Sequence, residues 1–332
     1  MSRTAEEPMV PVTIVTGFLG SGKTTLLNRI LRENHGNRIA VIENEYGEAG
    51  IDNEILADGG DESIVEMNNG CVCCTVRGDL LRILGELRGR RDSGALAFDR
   101  VLIETTGLAD PGPVAQTFFL DEEIGRYYLL DSVITLVDAK HAQDQLDRFH
   151  EAQEQVGFAD RILLSKTDLV AEGDAERLRQ RLVRINPRAP ISKVCFGATP
   201  IDEILDIRGF NLNAVLEIDP DFLEQHRHDH SDQVGSFVFR SERPFDGVKL
   251  EEFLSGLIDA YGKDMLRYKG VLYLQGNACR VVYQGVHMLM GGDLGRPWGE
   301  SEKRSSTLVF IGRGLPEELF KKGLEQCLAA AQ

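Results

Sequence analysis

The sequence lacks the marks of a secreted or membrane-bound chain. Among its 332 residues no apolar run approaches the roughly 20 needed to cross a bilayer. The opening stretch, with Glu6, Glu7, Pro8 and Pro11, has no signal-peptide core. Its 6 cysteines are too sparse for a disulfide framework in a chain this long. Positive charge is also short: 37 basic residues face 53 acidic ones, a net charge of −16, which argues against binding a nucleic-acid backbone. There is no internal repeat and no extended low-complexity tract. These absences lead us to expect a cytoplasmic protein that binds neither nucleic acid nor membrane and whose acidity suits the attraction of cations.

What is present is concentrated first in Gly17 to Thr24, GFLGSGKT, a full match to G-x-x-x-x-G-K-[ST]. It follows the apolar run Val12–Thr16 and precedes a helical pattern over Thr24–Glu33, the strand–turn–helix context that the motif requires. Gly17, Gly20 and Gly22 permit a backbone whose successive N–H groups, through Ser21 and on to Thr25, can cradle phosphate oxygens. Lys23 then neutralises the β- and γ-phosphates, and the Thr24 hydroxyl is placed to ligate Mg²⁺. The stretch points to a nucleoside triphosphate as ligand.

Further along, Arg38–Glu43, Arg100–Ile103, Ser132–Val137, Arg161–Leu164 and Ile191–Val194 read as short buried strands separated by helical patterning. One helix is expected near Asp79–Arg88 and another over Asp174–Asn186, stopped by Pro187. Alternating strands and helices imply an α/β fold, a mostly parallel sheet flanked by helices, with ligands at the carboxyl ends of the strands. From about Glu217 to Asp232 the texture turns polar, and we expect a first domain over 1–218, a linker over 219–232 and a smaller α+β domain over 233–332. In that last part Val234–Arg240 and Thr307–Ile311 read as strands, Val271–Leu274 and Arg280–Gln284 as a hairpin, and Val248–Tyr261 and Pro316–Ala330 as helices.

Three further motifs carry chemistry. Glu104, at a strand end and three residues before Gly107, fits the second acidic element of a P-loop NTPase, holding Mg²⁺ directly or through water while the Gly107 N–H reports the γ-phosphate. Ser165-Lys166-Thr167-Asp168 resembles the guanine-reading N-K-x-D element. The Asp168 carboxylate can accept from guanine N1–H and its exocyclic amine, and the Lys166 stem can lie along the base; Ser for Asn removes an amide contact and predicts a looser pocket. Cys71, Cys73 and Cys74 place three thiols within four residues, a soft site suited to Zn²⁺ or Cu⁺. A fourth ligand is open between water, Glu43, Glu48 and a histidine, and a redox pair or inert packing are the competing readings of the cluster. His226, His228 and His230 share a face if extended and read either as a metal site or as solvated linker. The other histidines read as surface or packing residues, and Cys195, Cys279 and Cys327 as small apolar ones.

With these residues in order, the chain resembles the CobW-like family of P-loop GTPases, relatives of the nickel-insertion GTPases. GFLGSGKTT, VIENEYGE, NGCVCC, IETTGLADP, SKTD and RPWGE (Arg296 to Glu300) carry the resemblance over nearly the whole length. It implies a GTPase domain bearing a Zn²⁺ or Co²⁺ site, with Ni²⁺ also open, and a metal site at Cys71, Cys73 and Cys74 to which Glu43 and Glu48 are candidate contributors. It also implies a C-terminal domain of CobW type and a metallochaperone or metal-responsive switch serving a client metalloprotein, with homo-oligomers set by metal or nucleotide as a further expectation. A non-enzymatic nucleotide-dependent regulator and a GTP-binding redox sensor are the alternatives. No glutamine directly follows Gly107, so slow intrinsic turnover is expected and no residue is assigned to orient the attacking water.

Overall fold

A computed structural model of the chain describes residues 9–33, 35–43, 63–66, 76–207, 209, 232–299 and 302–330. Glu48, Cys71, Cys73, Cys74, His226, His228, His230 and Glu300 lie outside the described residues.

Near-continuous apolar sequence makes the first sheet. Strands β1 (Val10–Gly17), β2 (Ile39–Glu43), β3 (Ser63–Glu66), β4 (Arg100–Glu104), β5 (Tyr128–Asp138), β6 (Arg161–Ser165) and β7 (Ile191–Val194) pair in the order β3-β2-β4-β1-β5-β6-β7. Every pairing is parallel. Such strands are covered on both faces, so β1 shows no hydrophobic alternation and its six residues from Val12 to Gly17 are all buried. The described covering helices are α1 (Lys23–Arg32), α2 (Val76–Asp92), α3 (Gly112–Leu120), α4 (Glu122–Tyr127), α5 (Ala142–Arg148), α6 (His150–Phe158) and α7 (Glu172–Ile185).

The second sheet is antiparallel: β8 (Val234–Ser241), β9 (Met265–Leu272), β10 (Cys279–Val286), β11 (Leu289–Pro297) and β12 (Ser306–Arg313), in the order β11-β10-β9-β12-β8. Helices α8 (Gly247–Tyr261) and α9 (Glu317–Gln326) contribute Leu250, Leu254, Leu257, Phe320 and Leu324 to a core on one face of it. The opposite face contributes Leu266, Val286, Val309 and Ile311 to the core of the first domain. The expected α/β domain plus smaller α+β domain is therefore the fold observed.

Two expectations need correction, and two strands went unread. Strand β3 lies between Glu43 and the cysteines, where no strand was expected. Strand β9 begins at Met265 rather than Val271; Arg267 and Lys269 hide its pattern, yet both are buried between the domains. Strand β11 went unread because its LMGGDLGRP sequence is glycine-rich and exposed. Helix α9 stops at Gln326 instead of Ala330, because the chain turns to bridge Phe245 at Leu328 and Ala329 N–H donates to Pro244 O at 2.9 Å.

Buried charge is paired across the domain boundary. Asp160 meets Arg267 at 2.7 Å and accepts from Val133 N–H at 2.9 Å, and Glu154 meets Arg313 at 2.8 Å. Burial, with Arg188 and Arg267 nearby, pushes the Lys269 ammonium down to about 7. Asn186 closes α6: its amide donates to the carbonyls of Val156, Gly157 and Ala159, and its Oδ1 accepts from Arg188 and Ala189 N–H. Val156 O also accepts from the Ala159 N–H at 3.2 Å, whereas for the Gly157 and Ala159 carbonyls at this helix end the Asn186 amide is the donor. Asn186→Ala should strand the Gly157 and Ala159 carbonyls in a dry site and lower stability by about 3 kcal/mol, read as a fall in the urea midpoint with the slope unchanged.

Candidate nucleotide-binding site

The chain leaves β1 through a turn that only glycine fits. A Cβ on Gly17, at φ +142°, would stand 2.3 Å from Leu136 O in the neighbouring β5. The turn delivers Lys23 to the start of α1, 8 % exposed, with its ammonium donating to Gly17 O at 2.9 Å. Burial lowers the Lys23 ammonium, and the Glu104 carboxylate opposes that effect. A half-desolvated cation at a helix N-terminus is set to receive an anion.

The loop after β4 is brought against this turn. Thr105 N–H donates to Val15 O at 3.0 Å, and the Thr105 hydroxyl donates to that of Thr16 at 2.8 Å. Gly107 then packs so closely that a Cβ on it would lie 2.7 Å from the Leu19 backbone nitrogen. Thr24 Oγ1 donates to Glu104 Oε1 at 3.4 Å, so the two side chains expected at Mg²⁺ face each other. A hydroxyl and a carboxylate converging beside a phosphate-type turn are hard oxygen donors of the kind Mg²⁺ takes.

On the other side of β1, Ser165 to Asp168 leave the end of β6. The Ser165 hydroxyl lies 2.7 Å from Ser21 O and 3.3 Å from Val137 O. The serine therefore ties its loop to the P-loop backbone. Lys166, at φ +55°, reaches across to donate to Gly20 O at 2.7 Å and to Asp138 Oδ2 at 2.8 Å. Asp168 is exposed, in a single 3₁₀ turn over Thr167–Leu169.

The profile of the CobW/HypB/UreG nucleotide-binding domain matches residues 11–193, and that of the cobalamin synthesis protein CobW C-terminal domain matches 234–328. The chain belongs to the CobW/HypB/UreG family. It is 45 % identical to zinc chaperone YjiA of Escherichia coli over 93 % of this chain and 96 % of that one. It is 36 % identical to zinc chaperone CobW of Pseudomonas aeruginosa over 96 % and 92 %. The crystal structure of Zn(II)-bound YjiA GTPase from E. coli superposes with a TM-score of 0.82 at 40 % identity, covering 97 % of this chain and all of that one.

Within this CobW-family frame, the candidate metal residues divide. Glu43 is described; the thiols and Glu48 are not. Among the described residues no three His, Cys, Asp or Glu side chains gather as a metal site. The register is informative nonetheless: Glu43 stands beside Glu104 on one side and Glu66 on the other, three glutamates abreast at the carboxyl ends of β4, β2 and β3. Glu66 went unread because it is the last residue of the strand that was missed. Of the lone cysteines, Cys327 is buried as expected, whereas Cys195 is exposed. His287, expected at surface or in packing, is buried against Phe158.

Sequence reasoning also missed Asp138, which closes β5 and lies in register with Ser165. Burial works to raise its carboxyl, but bonds from Lys166, His141 and the Lys140 N–H outweigh that and hold it below the usual carboxylate range. A depressed carboxyl contributes stability above its unfolded value that is lost as pH falls through the folded one. Asp138→Asn should thus be less stable than the parent near neutral pH, and the gap should close in thermal melts taken below about pH 4. Ser165→Ala should weaken GDP binding by roughly fivefold, one hydrogen bond's worth, while Ser165→Asn restores it, as measured by titration with a fluorescent GDP.

Proposed function

We propose that this chain uses a GTP cycle to control the binding and release of zinc for a client metalloprotein. The observation that carries the reading is the register of Glu43 beside Glu104. It sets a candidate zinc ligand next to the residue facing Thr24, and Cys71, Cys73 and Cys74 follow β3 in the sequence.

The chain is a GTPase: water attacks the γ-phosphorus of GTP, the bond to the bridging oxygen breaks, and GDP and phosphate leave with one proton released. Gly17, Gly20, Ser21, Gly22 and Thr25 contribute backbone N–H groups around the phosphates, and Lys23 balances charge on the β- and γ-oxygens. Thr24 and Glu104 would hold Mg²⁺, whose chemistry when bound would be to neutralise phosphate charge. Gly107 reports the γ-phosphate from the loop packed on Leu19. Asp168 selects guanine over adenine, with Lys166 along the base and Ser165 fixing the loop to the P-loop.

Zinc is the cargo, held by Cys71, Cys73 and Cys74 with Glu43 or Glu48, while Co²⁺ and Ni²⁺ fit the same donors less selectively than availability decides. The three thiolates alone leave the shell incomplete, which suits a metal that must leave again, and Glu43 or Glu48 would close it. The names of the relatives, zinc chaperones and, in Schizosaccharomyces pombe, a zinc-regulated GTPase metalloprotein activator, support zinc and a metalloprotein client. Activity in the cytoplasm and the division at 218 and 233 belong to the same proposal; among the described residues no helix is long and apolar enough to cross a membrane.

Zinc titration of the reduced protein against a chromophoric chelator should find one thiolate-dependent site. Its affinity should differ between GDP–Mg²⁺ and a non-hydrolysable GTP analogue with Mg²⁺, by about fivefold or more. Cys73→Ser should remove both the site and the effect of zinc on GTP turnover. Equal affinities in the two nucleotide states would refute the coupling.

A further inference from the structure

From Ala152 to Phe158 every residue of α6 is buried. Successive helical residues point about 100° apart, so Gln153, Glu154 and Gln155 reach in three directions, and each meets a different part of the molecule. Gln153 Oε1 accepts from Val234 N–H, the first residue of β8, at 2.8 Å. Glu154 meets Arg313, the last residue of β12, at 2.8 Å. Gln155 donates its amide to Gly107 O at 3.2 Å and to Ala109 O at 3.0 Å, inside the loop that packs on the P-loop.

The helix is also fixed along its length. Gln155 O accepts from the Thr135 hydroxyl of β5 at 2.7 Å. At its end, a Cβ on Gly157 would stand 3.1 Å from Leu266 and 3.3 Å from Ile311 and Val234, so the glycine lets the second sheet close on the helix. Phe158 O accepts from Arg267 of β9 at 2.8 Å. The loop held by Gln155 ends against the same domain, because Gly112 at the start of α3 lies where a Cβ would be 2.7 Å from His287 Nε2 and 2.8 Å from Phe158.

We propose that Gln155 is a positioning residue for GTP hydrolysis and that α6 transmits the state of the Gly107 loop to the C-terminal sheet. The inference rests on the GTPase reading above and adds to it the route by which a γ-phosphate acts on the second domain. With two of its carbonyls held by one buried amide, the 107–109 backbone cannot shift toward or away from a γ-phosphate without moving α6 or breaking those bonds. Packed interiors do not yield continuously, so a displaced α6 shifts its contacts at Val234, Arg313 and Arg267 together. The Gln155 amide is taken up by the Gly107 and Ala109 carbonyls, and it acts through the loop it holds.

The test uses the full chain with Mg²⁺ and either GDP or a non-hydrolysable GTP analogue, followed by hydrogen exchange of β8, β9 and β12 and by steady-state GTP turnover. In the parent, exchange in these strands should differ between the two nucleotides. Gln155→Met keeps the volume and removes both donors. It should erase that difference and lower kcat by roughly tenfold to a hundredfold with KM changed less than about threefold. Arg313→Met, remote from the nucleotide, should leave turnover near the parent value and reduce the exchange difference at β12, which keeps the inference testable if the first variant folds poorly. A Gln155→Met protein that still passes the nucleotide difference to β8 and β12 would overturn the inference. So would a parent that hydrolyses GTP with no difference in those strands, and that result leaves the GTPase reading standing. A parent that binds neither nucleotide would remove both.

Discussion

Backbone-to-backbone approach at β1 is the constraint on which the nucleotide site depends. Parallel strands stand side by side with their carboxyl ends at one edge, and the turn after β1 must pass between the loops following β4 and β5. Gly17 against Leu136 O and Gly107 against the Leu19 nitrogen leave no room for a side chain on either flank. Lys23, Thr24 and Glu104 meet because these two contacts are closed. The Thr105–Thr16 hydroxyl pair and the Ser165–Ser21 contact then fix the flanking loops to the same turn.

The second constraint is burial of polar groups between two domains. The sheet of the C-terminal part has two faces to cover, and α8 and α9 cover one. The other rests on α6 and its surroundings, so that Leu266, Val309 and Ile311 share a core with Val156 and Phe158. A helix enclosed in this way has no solvent to satisfy its side chains, and each buried polar group requires a partner. Gln153, Glu154 and Gln155 find theirs in both domains, as do Asp160 and Arg267. Directional bonds thus add to the shared apolar core in fixing the interface, an arrangement suited to discrete shifts between packed states.

Much of the nucleotide site was legible because each motif sits where a strand ends, and strand ends are marked by short apolar runs followed by glycine or charge. GFLGSGKT after β1, Glu104 to Gly107 after β4 and Ser165 to Asp168 after β6 are read in this way. Strand β3 and Glu66 were not legible: four residues flanked by polar sequence carry no period. Strand β9 was misread for a different reason, since Arg267 and Lys269 look solvated until the Asp160 carboxylate is known to face Arg267. Asp138 escaped notice because an aspartate after an apolar strand is ordinary, and only the Lys166 and His141 bonds give it a role.

The sequence by itself determined most of the alternation of strands and helices, the phosphate-binding turn, the strand-end glutamate expected at Mg²⁺, the loop resembling a base-reading element and the presence of a thiol cluster. All of these are local: a few adjacent residues state them, and backbone stereochemistry does the rest. Tertiary structure alone decided that Glu43, Glu66 and Glu104 stand abreast, that Ser165 binds the P-loop backbone and that the polar run at 153–155 joins two sheets. Those facts depend on strand order and domain packing between residues tens to more than a hundred positions apart, as with Ser165 and Ser21, separated by 144. Such neighbours are set by how the whole chain buries its surface, and no short stretch of it encodes them.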